Sequence, residues 1–325
     1  MAERLNKDIL YSAIKKRWEE CNSMNSSVKF YDCNTDKNNS VTRKKYYLAD
    51  VNDNFYYKMA PEEKKNYGGA NEVDGKMRAL YSSSAMTYNI FTSKDRKKLK
   101  LKESEIIYNL EFEKSLPALS THAKLDACIE SEDVIVYFEM KMREWLIGGP
   151  SSLPKTYMDA NIPSQIKGLF EKYIKEENNK PVTIENDEKF KCSNHYFDVF
   201  QIIKHVLGIY NAIQNETFPK VKKIRLVIGY WTIPDDLFDD KNPKQNKQKV
   251  KYGNIKKQME AEIDDFIMTF NGIKKELESF NKYDFEIKRM TVEEIVYCLD
   301  KTDEEKEYLK RYIDEQNASH HKIII

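Results

Sequence analysis

The stretch that decides the fold is LDACIESEDVIVYFEMK, residues 125–141. It reads as two short apolar strands joined by a polar turn at residues 130–133, which predicts a β-hairpin. The second strand ends with Glu139 and Lys141, which lie on the same face because side chains alternate along a strand. The first strand carries Asp126 among apolar neighbours, where an acid is unexpected.

Asp126 and Glu139 are the candidate metal ligands of this hairpin. A register that pairs residue 126 with residue 137 or 138 predicts that the two carboxylates lie within a few ångströms of each other. Two carboxylates that close repel each other unless a cation lies between them. Magnesium accepts carboxylate oxygens and keeps several waters, so Mg²⁺ is the expected cofactor, with Lys141 beside it. The alternative is that these charged side chains only solvate a strand edge.

This trio suits the hydrolysis of a phosphodiester. The reaction needs a polarised phosphoryl oxygen, an activated water and stabilisation of the charge that develops on the phosphate. A metal held by Asp126 and Glu139 can supply the first two, and Lys141 can orient the water or share the charge. No serine, cysteine or histidine nucleophile is required.

The composition is that of a highly charged globular protein. Its 325 residues are 40% hydrophobic and 33% charged, enough for one large domain or two modest ones. No run of about 18 apolar residues predicts a membrane span, and the charged N-terminus MAERLNKDIL shows no signal segment. Five scattered cysteines without a C-x-x-C pair indicate neither a disulfide framework nor a zinc ribbon, and we infer a reducing cytoplasm.

The distribution of charge is more informative than the net charge of +1, which neither supports nor excludes a nucleic-acid partner. Residues 94–102, KDRKKLKLK, are basic, and so are residues 241–257, KNPKQNKQKVKYGNIKK, which we expect to form a loop. Both could contact DNA phosphates, and the alternative for each is a lysine-rich solvated surface. Residues 303–315, DEEKEYLKRYIDE, are mostly acidic.

The order of predicted elements favours a mixed sheet with helices on both sides. Helical spacing of apolar residues covers residues 3–21, 195–213 and 254–280, and further helices are expected at 76–91, 292–299 and 302–316, the last with Thr302 as its cap. Besides the hairpin, strands are expected at 105–115, 222–231 and 284–291. Residues 32–75 and 146–194 show no clear pattern.

These residues resemble the PD-(D/E)xK nuclease superfamily, whose members share the restriction-endonuclease-like fold. In its motif an Asp leads one strand and (D/E)-x-K ends the next, which in this chain are Asp126, Glu139 and Lys141. The proline that usually precedes the Asp is absent, because Lys124-Leu125 stand there.

A subfamily of bacterial restriction endonucleases is similar through four blocks in the same order. They are SSSAMTYNIF at 82–91, LEFEKSLP at 110–117, EMKMRE at 139–144 and QIIKHVLG at 201–208. The match covers about residues 77–231 and is suggestive to about residue 300. Ser84 stands where the subfamily pattern has Gln, so any substrate contact of that Gln is lost or changed here.

The resemblance implies metal ligation by Asp126 and Glu139, with Lys141 as the catalytic base. It also implies that Glu113 is an additional acid near the metal, with Glu111 as the alternative on the same face of its strand.

The fourth block places Gln201, Lys204 and His205 at positions i, i+3 and i+4, one stripe of a helix. The resemblance implies that this stripe approaches the scissile phosphate and binds DNA. A polar stripe exposed to solvent is the alternative.

The sequence thus predicts an α/β protein with a restriction-endonuclease-like mixed β-sheet core flanked by helices at residues 77–300. A helical and irregular extension at 1–76 is expected to contribute to target recognition, and a C-terminal helix and tail follow at 301–325. The expected function is that of a Mg²⁺-dependent endonuclease cutting a specific site in double-stranded DNA, like a type II restriction enzyme. Cutting both strands of a symmetric target suggests a homodimer.

Two other functions stay open on the sequence alone. One is a modification-dependent, defence or repair nuclease of the same fold. The other is a non-catalytic DNA-binding module in which the three charged residues are merely solvated.

Overall fold

A six-stranded mixed sheet forms the centre of the fold, in the order β1-β2-β3-β4-β10-β11. The computed structural model describes residues 2–22, 28–30, 45–67, 73, 75–102, 104–119, 122–215 and 220–314. The strands of the sheet are β1 (Lys98–Lys100), β2 (Ile107–Pro117), β3 (His122–Glu130), β4 (Val134–Lys141), β10 (Lys223–Tyr230) and β11 (Phe285–Thr291). Neighbours from β1 to β4 are antiparallel, whereas β4, β10 and β11 run parallel.

Helices cover both faces of this sheet. They are α1 (Lys7–Cys21), α2 (Pro61–Asn66), α3 (Ser83–Phe91), α4 (Glu144–Ile147), α5 (Thr156–Asp159), α6 (Ser164–Lys172), α7 (Val199–Gln214), α8 (Pro243–Lys274), α9 (Glu278–Lys282), α10 (Val292–Cys298) and α11 (Asp303–Leu309). Short 3₁₀ turns occupy Val51–Asn54 and Lys76–Arg78. The predicted mixed α/β core with flanking helices is confirmed.

Two crossover helices connect the parallel strands, because parallel neighbours cannot be joined by a tight turn. Helix α7 links β4 to β10, and α8 links β10 to β11. Both lie over the sheet face that carries Glu139, where side chains of α7, β10 and α8 line one cavity. Helix α3 packs on the opposite face, where the ring centroids of Phe91 and Phe138 are 4.5 Å apart.

The hairpin of β3 and β4 forms as predicted, but the predicted register is wrong. Ala127 pairs with Phe138 and Cys128 with Tyr137, so the ladder continues toward Asp126 opposite Glu139 rather than residue 137 or 138. The physical reason is the turn, which is closed by the Ser131 N–H donating to the Val134 carbonyl at 2.9 Å. Residue 130 therefore stays in the strand instead of entering the turn.

The predicted loop at 241–257 is wrong, because nearly all of this stretch is helical. Helix α8 begins at Pro243, with Asn242 as an N-cap whose side chain accepts from the Lys244 N–H at 3.0 Å. In its first three turns Gln248 is buried, and the next buried residue is Ile255. The apolar periodicity that reveals a helix in a sequence therefore starts only where the helix meets the core.

The stretch at 146–194, which showed no clear pattern, contains short elements. Besides α4–α6 they are β5 (Leu153–Pro154), β6 (Glu176–Glu177), β7 (Lys180–Pro181), β8 (Thr183–Ile184) and β9 (Lys189–Phe190). Strands β5, β9 and β8 form a small sheet, and β6 pairs with β7.

One hydrophobic cluster runs through the sheet and reaches both ends of the described chain. It includes Leu10 and Trp18 of α1, Tyr137 of the central strand and Leu309 of α11. Helix α11 starts at the predicted Thr302 cap and is shorter than the helix predicted over 302–316, of which residues 315–316 lie outside the described residues. None of the described helices is long and apolar enough to cross a membrane.

Candidate active site

The end of β4 places charged groups in the interior of the protein. Strand β4 lies between β3 and β10 and is buried on both faces, which explains its continuous apolar run. The side chain of Glu139 is 2% exposed and that of Lys141 is 24% exposed. A carboxylate this deep needs cationic or hydrogen-bonding partners, because an isolated buried charge is very costly.

Glu139 finds those partners on its own strand and on α7. The Lys141 Nζ lies 2.5 Å from Glu139 Oε1, and the Gln201 Nε2 donates to the same oxygen at 2.7 Å. The His205 Nε2 lies 2.9 Å from the other oxygen, Oε2, although the angles are not those of a hydrogen bond. Burial alone would raise the pKa of Glu139, but the Lys141 ammonium and the neighbouring His205 hold it below its ordinary value.

Lys141 is a protonated ammonium in this arrangement. Its Nζ donates to the Gln201 Oε1 at 2.8 Å, so the Gln201 amide bridges the acid and the base of the strand end. Burial alone would lower the pKa of Lys141, but the negative charges of Glu139 and Asp126 raise it above its ordinary value. A general base must be unprotonated at the working pH. The arrangement therefore favours charge stabilisation by Lys141 over the base role that the resemblance implies.

Asp126 lies on β3 beside the same strand end. Its Oδ2 accepts a hydrogen bond from the Met140 N–H at 2.5 Å, which ties its carboxylate to the backbone next to Glu139. Burial raises the pKa of Asp126 well above its ordinary value, and the negative charge of Glu139 raises it further. The two carboxylates thus repel each other, as expected from the sequence.

Glu113 lies on β2 at a local break in the β2–β3 ladder. Phe112 pairs with Ala127 and Lys114 with Leu125, but residues 113 and 126 between them do not pair. Glu113 has φ of 53°, a left-handed conformation that costs a non-glycine residue free energy. Its charge contributes to raising the pKa of Asp126.

Glu111, the alternative acid on β2, is engaged elsewhere. It lies opposite Cys128 and accepts from the Lys114 Nζ at 2.6 Å. Of the two acids, Glu113 is therefore the one whose charge acts on Asp126.

Tyr67 is a residue near these acids that sequence reasoning missed. Its hydroxyl is buried and has no hydrogen-bond partner among the described residues. Burial raises its pKa well above the ordinary value, and the charges of Glu113 and Asp126 add to this. No motif marks Tyr67, because it reaches the site from a region about 60 residues before the hairpin.

The stripe of Gln201, Lys204 and His205 divides between two environments. Gln201 and His205 face Glu139, and the His205 side chain is only 3% exposed. Lys204 points away, with its Nζ 5.0 Å from the centroid of the Tyr157 ring. Burial lowers the pKa of Lys204. In this arrangement Gln201 and His205 position Glu139, and DNA contact by the three side chains stays a prediction.

A cavity of about 230 Å³ opens at the end of β4. Glu139 and Lys141 lie in its wall, together with Gln201 from α7. Its other walls include Trp145, Tyr196, Tyr230 and Met259. The cavity is therefore a mostly apolar space with a few polar groups at one side.

The donor set of Asp126 and Glu139 fits a hard divalent cation. Mg²⁺ is commonly held by one or two protein carboxylates and keeps several waters. Glu139 Oε2 is buried without a hydrogen bond of normal geometry to the described residues, and a cation between the acids would remove the repulsion that raises the pKa of Asp126. Within the described part of the chain, no group of three or more His, Cys, Asp or Glu side chains converges as a metal site.

No protein-family model, no curated protein and no solved structure matches this chain. The resemblance to PD-(D/E)xK nucleases therefore stays a prediction that rests on the sequence blocks alone.

Proposed function

We propose that this chain is a metal-dependent deoxyribonuclease that hydrolyses phosphodiester bonds of DNA. The observation that carries the proposal is the contact between Glu139 and Lys141 at the end of β4, with Asp126 tied to the adjacent backbone and a cavity open beside them. Each of these desolvated charges costs folding free energy, so a purely structural role explains them poorly. The finer proposal is a type II-like restriction endonuclease that cuts a specific double-stranded site as a homodimer.

Lys141 supplies a fixed positive charge where the scissile phosphate would bind. The Gln201 amide and the Glu139 carboxylate hold its ammonium in one position before substrate arrives. A preorganised cation stabilises the charge that develops on phosphate oxygens in the transition state. Because Lys141 carries a proton, it donates a hydrogen bond to the phosphate or to the attacking water.

Asp126 and Glu139 would hold Mg²⁺. Bound there, Mg²⁺ would polarise a phosphoryl oxygen and acidify a coordinated water. The chain itself orients the two carboxylates: Asp126 through the Met140 N–H, and Glu139 through Gln201 and His205.

Exposed lysines in the first half of α8 support the proposal that this helix contacts DNA phosphates. Lys244, Lys247 and Lys257 are exposed on this helix, and residues 94–102 add exposed lysines near β1. Lysine contacts with phosphates release counterions, so binding through them weakens as salt is raised.

Incubation of the protein with plasmid and phage DNA tests the proposal. Wild type, Lys141→Ala and Lys124→Ala are compared, each with Mg²⁺ and with a chelator. Lys124 is the matched control, because it is an exposed lysine of the same hairpin. We expect cleavage by wild type and Lys124→Ala with Mg²⁺ alone, and a loss of at least about 100-fold in rate for Lys141→Ala.

Discrete fragments would support the restriction proposal, and cleavage only of methylated or branched DNA would favour the related nucleases. Equal cleavage by wild type and Lys141→Ala would show that the site is wrong. Absence of cleavage on all these DNAs would favour a binding module.

A further inference from the structure

A second cavity, of about 550 Å³, lies beside the cavity at the end of β4, which we call the catalytic cavity. We call it the basic groove, and we define it by Arg4, Lys175, Lys191, His195 and the segment 149–152. Gly149 lines both cavities, so the basic groove adjoins the cavity that contains Glu139 and Lys141.

The lining of the basic groove has one sign of charge. Arg4, Lys175 and Lys191 lie in its wall, and none of its described lining residues carries a carboxylate. This is informative because the chain contains 53 acidic residues, nearly as many as its 54 basic ones. A cleft lined by cations concentrates anionic ligands.

Two acids near the basic groove are engaged by other groups. Glu262 accepts hydrogen bonds from the backbone N–H groups of residues 195, 196 and 197, each at 2.9 Å. Glu177 lies 2.5 Å from Lys175, but this pair is largely exposed and therefore weak. The side chain of Lys191 is exposed and forms no hydrogen bond or ion pair with the described residues, whereas its backbone bonds residues 175 and 182.

The guanidinium of Arg4 is fixed in the wall of the basic groove. Its Nη2 donates to the His195 carbonyl, and its Cζ lies 4.6 Å from the centroid of the Tyr196 ring. Its Nη1 is buried and has no hydrogen-bond partner among the described residues. A guanidinium keeps its charge, so Arg4 contributes a fixed positive charge to the wall of the basic groove.

A hydrogen bond connects the walls of the two cavities. The Ser151 Oγ donates to the Asp198 Oδ1 at 2.8 Å, and Asp198 lines the catalytic cavity. Asp198 also caps α7, accepting from the Gln201 N–H at 3.2 Å. The groove segment and the helix that positions Glu139 are therefore fixed to each other.

We propose that the basic groove binds the phosphate backbone of the strand being cut, on the nucleotides next to the scissile phosphate. This inference rests on the proposed function for its biological meaning. Its physical basis is separate: a run of cations that starts where the catalytic cavity ends. Successive phosphates of one strand are about 3.4 Å apart along a duplex axis. A strand that has one phosphate at Lys141 and leaves the cavity past Gly149 would bring its next phosphates into the groove.

Oligonucleotide binding without metal tests the inference. Fluorescein-labelled single-stranded and double-stranded DNA are titrated with Lys141→Ala protein in chelator, and anisotropy is recorded over a salt series. The groove variants carry Lys175→Ala with Lys191→Ala, or Lys191→Glu alone. The control carries Lys275→Ala with Lys282→Ala, two exposed lysines outside the groove lining, in the segment where the Lys274 side chain contacts the start of β11.

We expect the paired groove variant to lower the slope of log affinity against log salt by roughly 1 to 2. Between about 50 and 200 mM salt, its affinity would then change roughly tenfold less than that of the parent. The control pair is expected to keep the parent slope. A lower slope of the groove variant with both DNA forms, or with one of them, supports the inference and shows which form binds in the groove.

Two results would overturn the inference. One is a parent protein that binds neither DNA form, and the other is a set of groove variants that bind like the control pair. Because no cleavage is measured, a groove that binds DNA in a protein without nuclease activity would refute only the proposed function. Cleavage by wild type with unaltered binding of the groove variants would refute only the groove.

Discussion

Gln201 is the residue whose contacts explain how the strand end keeps its geometry. One side of its amide accepts from Lys141 and the other donates to Glu139. We expect Gln201→Ala to lower the cleavage rate constant at saturating DNA by about 10- to 100-fold, as found for residues that orient ligands, with little change in KM. Steady-state cleavage of a labelled oligonucleotide measures both constants.

Gln214→Ala provides the matched control on the same helix. Its side chain bonds Ser279 on the surface, away from Glu139. If Gln201→Ala is as active as Gln214→Ala, Gln201 does not position Lys141 and Glu139 for cleavage.

Glu293 lies outside the cavity at the end of β4, and its burial predicts a pH-dependent stability. Burial raises its pKa to about 7, and its Oε2 has no hydrogen-bond partner among the described residues. As pH rises from the ordinary glutamate range to 7, the unfolded chain loses this proton before the folded one does. The folded state therefore loses stability across this window, and the loss is complete above it.

We expect Glu293→Gln to remove this loss, since glutamine does not titrate. The free energy of unfolding of Glu293→Gln minus that of wild type should therefore increase by about 3 kcal/mol from pH 4 to pH 8. Urea unfolding at both pH values measures it, with exposed Glu278→Gln as the control that changes little. An unchanged pH dependence in Glu293→Gln would show that this carboxyl ionises normally in the folded state.

At the scale of elements, the site depends on the close approach of α7 to the sheet. A Cβ at Gly208 would lie 3.1 Å from the Cβ atoms of both Ala123 and Leu116. Gly208→Val should therefore push α7 outward and cost about 1 to 3 kcal/mol in the free energy of unfolding. The cleavage rate should fall as well, because α7 carries Gln201 and His205.

Gly168→Val on α6 is the control, because nothing lies within 4 Å of a Cβ there. Chemical denaturation and cleavage rates are measured for both variants. A Gly208→Val protein as stable and active as Gly168→Val would mean that α7 does not need this close approach.

The elements show which patterns a sequence can reveal. Two short apolar stretches on either side of a polar turn predicted the β3–β4 hairpin, because they reflect the burial of these strands. Register depends on the turn, and a shift of the turn at Ser131 moved Asp126 from the predicted partners to a position opposite Glu139. The first turns of α8 had no apolar pattern to detect, because few of their side chains meet the core.

At the scale of the whole molecule, contacts between distant segments complete the core and the site. Trp231 Nε1 donates to the Tyr312 carbonyl at 2.6 Å, and Asn89 Nδ2 donates to the Tyr312 hydroxyl at 3.1 Å. The same holds at the site, where Tyr67 reaches Asp126 and Glu113 from another segment. Spacing along a single sequence contains no signal for such contacts, so the motif residues were predictable and these partners were not.

The cleavage rate of Asp126→Asn tests the central claim most directly. The asparagine side chain still has an oxygen that can accept the hydrogen bond from the Met140 N–H. It has no negative charge, which burial and the charge of Glu139 disfavour at this position. The variant should therefore fold at least as stably as wild type, so lost activity cannot reflect unfolding.

We predict that this folded variant loses Mg²⁺-dependent DNA cleavage by at least about 100-fold. A Glu130→Gln protein, altered on the same strand outside the site, should keep the wild-type rate. Cleavage by Asp126→Asn at the wild-type rate would contradict the account, because the carboxylate at the strand end would then have no part in the chemistry.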